Sequence, residues 1–162
     1  MKIRKLLLSA FLTASMIPIS AKDEGFSGRW VLEKNEAQAD APRNLETRIK
    51  QDGNGVTIEA TFREPENGVV PLLYLGIMTT RLHLSFDGGT QQNRIGPFQM
   101  ASKTNLDGNQ MNTDWTAVVE GHQVQGHWTY RLADDGKHMT LDIKETVGQG
   151  PDAQATLHFV RK

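Results

Sequence analysis

The sequence predicts an all-β protein folded as a single antiparallel up-and-down barrel, with a two-sheet β-sandwich as the alternative. Three observations carry this expectation. Apolar and polar residues alternate with period two along most of the chain, as in strands with one buried face and unlike any helix. The alternating runs are separated by short Gly, Asp and Asn clusters that suit hairpin turns, so sequential strands should be antiparallel neighbours. Strands with one apolar face need a second layer or a closed barrel to bury it, and closure also removes exposed edges.

The order of segments begins with a leader. Lys2, Arg4 and Lys5 precede an apolar stretch at residues 6–17, and Pro18-Ile19-Ser20-Ala21 supplies a small residue where cleavage would occur. This is the layout of a signal peptide, and the apolar run is short for a bilayer span. Residues 1–21 are therefore expected to be removed, leaving residues 22–162 as one β-barrel domain. Removing 21 of 162 residues leaves 141, with 15 basic against 19 acidic side chains and a net charge of −4. A bacterial periplasm or the cell exterior is the expected location. The mild acidity gives no reason to expect nucleic acid as a partner, and after leader cleavage no membrane association is expected. The chain has no cysteine. That excludes disulfides, thiolate metal sites and a cysteine nucleophile, so the mature domain must rely on its core.

Along the mature chain the first strand runs through Trp30. Residues 33–44, rich in Ala, Glu and Gln, suit a short helix or a long loop. Residues 45–51 alternate weakly. Asp52-Gly53-Asn54-Gly55 is a turn, and residues 56–63 form a clear strand with Ile58, Ala60 and Phe62 on one face. Residues 64–78 break the pattern: Val69-Val70-Pro71-Leu72-Leu73-Tyr74-Leu75-Gly76-Ile77-Met78 is apolar without alternation. It reads as a flap plugging one mouth of the barrel or a buried strand. A ligand portal or a protein-contact patch at residues 69–78 is the other reading. Leu84 and Phe86 share a face in the next run, ahead of the turn Asp87-Gly88-Gly89. After the turn at residues 107–109, residues 113–119 put Trp115 and Ala117 inward. Beyond Glu120-Gly121, residues 123–132 place Val124, Gly126, Trp128, Tyr130 and Leu132 on one face. Asp134-Asp135-Gly136 then leads to a strand with Met139, Leu141 and Ile143 inside, and residues 155–159 alternate at the end. Nine or ten strands are expected in all.

Phe26-Ser27-Gly28-Arg29-Trp30 begins the first strand, and its Gly-x-Trp resembles the lipocalin signature. With Gln51-Asp52-Gly53-Asn54, Ser85-Phe86-Asp87-Gly88 and Tyr130-Arg131-Leu132-Ala133-Asp134-Asp135-Gly136-Lys137, the pattern over residues 26–162 is similar to a group of small exported lipocalin-like bacterial proteins. The resemblance implies the barrel and export. Functions in that group are largely unassigned, so it implies no particular activity, and the insert at residues 64–78 departs from the shortest versions of the pattern. In lipocalins a basic side chain near the end of the last strand packs across the signature Trp. Arg161 holds the comparable place here and shares the inward parity of Leu157 and Phe159. Trp30 and Arg161 are thus expected to close one end of the barrel, as structural residues.

Candidate chemistry is sparse. His83, His127, His138 and His158 fall at polar parity and His122 in a turn, so all five should face solvent. No metal site and no haem ligand are expected. Residues 52–55 fail the spacing of a calcium loop. No Gly-x-Ser-x-Gly, phosphate loop or dinucleotide fingerprint occurs, so no catalytic residue and no cofactor is assigned. Glu145 is the exception among the carboxylates. It continues the inward parity of Met139, Leu141 and Ile143, and reads either as an anchor for a ligand's polar group in the lumen or as a mouth carboxylate in contact with water. An enzyme acting inside the lumen would have to depend on Glu145 and Tyr130. The expected function is binding of a small hydrophobic molecule by the inner wall, with Phe62, Leu84, Phe86, Trp115, Trp128, Tyr130, Leu141, Ile143 and Glu145 as candidate lining residues. Small residues at Gly126, Ala60 and Ala117 are expected to leave room. The competing expectation is a non-catalytic interaction module using residues 69–78.

Overall fold

The computed structural model describes residues 25–33, 43–63, 76–77 and 81–162. The leader at residues 1–21, most of the Ala/Glu/Gln-rich stretch at residues 33–44, and all of residues 64–78 except Gly76 and Ile77 lie outside the described residues. The described residues form ten strands: β1 (Gly28–Leu32), β2 (Arg43–Gln51), β3 (Gly55–Arg63), β4 (Leu82–Ser85), β5 (Gln91–Ile95), β6 (Phe98–Asp107), β7 (Gln110–Val119), β8 (His122–Leu132), β9 (His138–Val147) and β10 (Asp152–Arg161).

They make one antiparallel sheet in the order β4-β3-β2-β1-β10-β9-β8-β7-β6-β5. Apart from β4 and β5, each strand pairs with its neighbours in sequence, and β1 pairs with β10 through Trp30↔Arg161, Val31↔Val160 and Leu32↔Phe159. That pairing rolls the meander into a barrel and leaves one seam, between β4 and β5. Across the seam the carboxamide of Asn93 stands in for a strand. Its Oδ1 accepts from the His83 N–H at 2.8 Å, and its Nδ2 donates to the His83 carbonyl at 2.8 Å. A side chain thus supplies the pair of bonds that a neighbouring peptide would make, and the barrel is nearly closed.

The turns follow the expected chemistry. Asp52 Oδ1 accepts from the N–H groups of Asn54 and Gly55 at 2.8 and 3.0 Å, an Asx-turn that joins β2 to β3. Glu120 and Gly121 both have positive φ, 52° and 83°, as a two-residue turn of the primed type requires between β7 and β8. Residues 43 and 44 already belong to β2. Asn44 has φ 55°, and the register shifts between Arg43 and Glu46, so the strand begins with a bulge.

β5 and β6 are the strands that alternation does not reveal. Four of the five β5 residues are polar, and β6 turns Ser102 and Thr104 inward together with Met100. The inner face elsewhere is apolar. Trp30, Leu45, Ile49, Leu84, Met111, Trp128, Leu141 and Phe159 are among the fully or almost fully buried side chains of a single core.

Candidate ligand-binding site

The two ends of the barrel are built differently. At one end, Arg161 lies over the Trp30 indole with its guanidinium carbon 4.6 Å from the ring centroid. Trp30 Nε1 donates to the Phe26 carbonyl at 2.9 Å, and Arg161 Nη2 donates to the Gly25 carbonyl at 2.6 Å. Gly28 belongs to the same arrangement. It has φ 151°, and a Cβ there would sit 3.4–3.5 Å from the Arg161 side chain, so glycine lets the arginine lie flat against the strand.

Toward the other end, three strands present one row on the inner face: Trp115 on β7 pairs with Gly126 on β8, and Gly126 pairs with Glu145 on β9. The room expected at Gly126 is taken by the Trp115 indole. A Cβ at residue 126 would lie only 2.1–2.4 Å from Trp115 ring atoms, Nε1 among them. Trp128, two residues further along β8, packs against Trp115 with ring centroids 5.2 Å apart and planes tilted by 46°. Trp128 is in turn covered by Gly76, where any Cβ would meet its six-membered ring at 2.3 Å. Gly76 and Ile77 are both buried, so these two residues of the apolar insert face the core.

Glu145 is the only Asp, Glu, Lys, Arg or His in the buried set of the described residues, at 2% exposure. It is shut off from bulk water, unlike a carboxylate at an open mouth. Burial pushes its carboxyl up from the ordinary 4.5 to about 8. The Trp128 indole N–H faces it and pulls weakly the other way. Even so, both Glu145 oxygens, Trp115 Nε1 and Trp128 Nε1 lack any partner in hydrogen-bond geometry. Four buried polar atoms with unmet bonding capacity sit on adjoining strands inside an apolar wall. Each such atom costs about 1–3 kcal/mol when left unmet.

The other candidate lining residues belong to the same core. Ile143 pairs with Trp128, and Leu141 with Tyr130, all four being buried. Burial also pushes the Tyr130 phenol well above its ordinary range. Leu84 is fully buried on β4, while Phe62 and Phe86 are partly buried against the same core at the β3–β4 wall. Ala60 and Ala117 are buried. Sequence reasoning missed Ser102, Thr104 and Thr113. Ser102 lies directly opposite Trp115, and Thr104 Oγ1 and Thr113 Oγ1 are 3.0 Å apart, next to Trp128 in the ladder. The available signal was their shared parity with Met100, Met111 and Trp115.

On the outer face, His127 lies opposite Lys144, and its Nδ1 is 2.7 Å from Asp114 Oδ1. His138 pairs with Asp135 at 2.6 Å, and His83 and His158 each approach a threonine hydroxyl at 3.4 Å. Among the described residues, no three His, Asp or Glu side chains gather as metal ligands.

No protein-family model matches the sequence, and no curated protein matches it. Solved structures do. A secretory abundant heat soluble protein from Ramazzottius varieornatus superposes with a TM-score of 0.52 at 13% identity, covering 88% of this chain and 98% of that one. Secretory abundant heat soluble protein 4 from Ramazzottius varieornatus gives 0.52 at 11% identity, over 86% and 96% of the two chains. The fatty-acid-binding protein of Manduca sexta gives 0.51 at 14% identity, over 84% and 99%. With ten up-and-down strands in a nearly closed barrel, the chain has the fold class of the lipocalins and fatty-acid-binding proteins.

Proposed function

We propose that this chain is an exported, non-catalytic carrier that holds a small hydrophobic molecule inside its barrel. The observation that carries the reading is the buried, unpartnered Glu145 carboxyl beside two unpartnered indole N–H groups. Such a cluster costs a purely structural core stability, whereas a lumen site uses a few placed polar groups to orient an otherwise apolar ligand. The Manduca sexta protein of the same fold is named for binding fatty acid, which supports a lumen ligand here. Residues 1–21 supply the export signal in this reading. The inward placement of Gly76 and Ile77 speaks against residues 69–78 acting as a whole as an outward contact patch.

Native mass spectrometry of the full chain, expressed with its leader in a bacterial host and recovered from the periplasm, tests both halves. The expected result is a mass starting at Lys22 plus a co-purified apolar ligand. An uncleaved chain would sink the export reading. Repeated recovery of ligand-free protein bound to a partner protein would sink the carrier reading.

A further inference from the structure

The cluster also has a definite hydrogen-bonding character, which restricts the ligand. We propose that Trp115, Trp128 and Glu145 form a subsite for an uncharged, carbonyl-bearing head group, such as an ester, ketone or amide, on an otherwise apolar molecule. The inference rests on the carrier reading and names the ligand class for that site.

The atoms that lack partners set the requirement. An indole N–H can only donate. Trp115 and Trp128 therefore each call for an acceptor, and both are buried away from water. Glu145 sits across the ladder from Gly126, the residue against which the Trp115 Nε1 edge rests. The carboxyl is held in its neutral form at neutral pH by burial, and a neutral carboxyl donates one O–H while its other oxygen can still accept, from the Trp128 N–H that faces it. Three donors thus lie together on adjoining strands of the wall, with the Trp128 N–H turned toward Glu145. Ser102 extends the row on the far side of Trp115. Its Oγ accepts from Asn93 Nδ2 at 3.3 Å, which leaves its own O–H to donate. A carbonyl oxygen with two lone pairs, or an ester with two oxygens, meets this set.

Charged head groups fit worse. A carboxylate would also accept, but no Lys, Arg or His is buried among the described residues to balance it. Arg161 is committed to Trp30 and the Gly25 carbonyl at the opposite end of β10. An uncompensated anion in an apolar interior is costly. An ammonium could be balanced by an ionised Glu145, but it brings only donors to a site whose two indoles already donate.

Binding of methyl laurate, laurate, laurylamine and dodecane to the purified full chain at neutral pH, followed by tryptophan fluorescence and calorimetry, tests this. Methyl laurate is expected to bind at least roughly 10-fold more tightly than the two charged probes, and roughly 3–10-fold more tightly than dodecane, the range of one or two net hydrogen bonds. Trp115→Phe and Trp128→Phe should each erase most of the preference over dodecane, while Glu145→Gln, which keeps a donor, should retain it. Laurate or laurylamine binding most tightly overturns the head-group assignment and leaves the carrier reading standing. So does a Trp115→Phe/Trp128→Phe protein that stays folded by circular dichroism and keeps the full ester preference. If no probe binds, dodecane included, the carrier reading itself falls, and the subsite with it.

Discussion

The Trp30 end and the Trp115–Trp128 end of this barrel use the same side chain in opposite ways. Trp30 is fully buried with its N–H bonded to Phe26, its face covered by Arg161, and the arginine bonded to the Gly25 carbonyl. Trp115 and Trp128 are buried as well, yet their N–H groups reach no partner in hydrogen-bond geometry, the Trp128 N–H facing the Glu145 carboxyl without bonding it. A satisfied end contributes stability and specifies the strand pairing that closes the barrel. An unsatisfied end costs stability, and its unmet groups would gain from a hydrogen-bonding group placed against them. Stability is concentrated at one end, and the unmet polar groups at the other.

The largest expected effect comes from removing the satisfied tryptophan. Trp30→Ala deletes a fully buried indole and strips Arg161 of its platform. We expect a loss of about 3–5 kcal/mol, the usual range for truncating a core aromatic, read as a shift in the urea midpoint at unchanged slope. A loss below about 1 kcal/mol would show that this end does not hold the barrel closed.

Glu145 tests the other end by pH. Its pKa rises from 4.5 in the unfolded chain to about 8 in the fold. Between those values the folded protein keeps a proton that the unfolded chain releases. Stability therefore falls as pH rises through this window, and the loss is complete above the folded pKa. Glu145→Gln removes the titration. The variant is expected to be nearly as stable as the parent at pH 4 and more stable by a few kcal/mol at pH 9, since each tenfold difference in proton affinity between fold and unfolded chain is worth about 1.4 kcal/mol. Parallel stability–pH curves for the two proteins would show that Glu145 is not held neutral by its surroundings.

Sequence legibility divides along the same line. The Trp30 end could be read because Gly28, Trp30 and Arg161 combine a signature with strand parity, and parity alone fixes which face a strand residue occupies. The inward direction of Trp115, Trp128 and Glu145 was legible for the same reason. Their contact was not. It depends on Gly126 admitting the Trp115 ring and on Gly76 covering Trp128, and neither close approach leaves a trace in period-two patterning. β5 and the inward Ser102 and Thr104 escaped because a polar inner wall looks like a loop when only apolar alternation is sought. The β4–β5 seam, bridged by one asparagine, depends on a side chain mimicking backbone, which no propensity encodes.

Gly126→Ala is expected to act on the Trp115–Trp128 end alone. Its methyl would overlap three Trp115 ring atoms, and that ring is wedged against Trp128. Overpacking of this kind costs about 1–3 kcal/mol. It should also change the near-ultraviolet circular dichroism of the coupled indole pair and weaken methyl laurate binding. An unaltered spectrum would mean that the Trp115 ring does not lie over Gly126.

Arg161→Met gives the smallest effect and the sharpest contrast. Methionine preserves apolar cover over Trp30 but loses the cation–π attraction, about 0.5–2 kcal/mol, and the bond to the Gly25 carbonyl. A net loss of about 1–2 kcal/mol is expected, the partly open setting of Arg161 keeping it toward the low side. Methyl laurate affinity should not change, because Arg161 and the Glu145 row lie at opposite ends of β10: Arg161 pairs with Trp30, whereas Glu145 pairs with Ala153. A variant that keeps its stability but loses affinity would reverse the assignment of roles and place the ligand's polar contact at the Trp30 end.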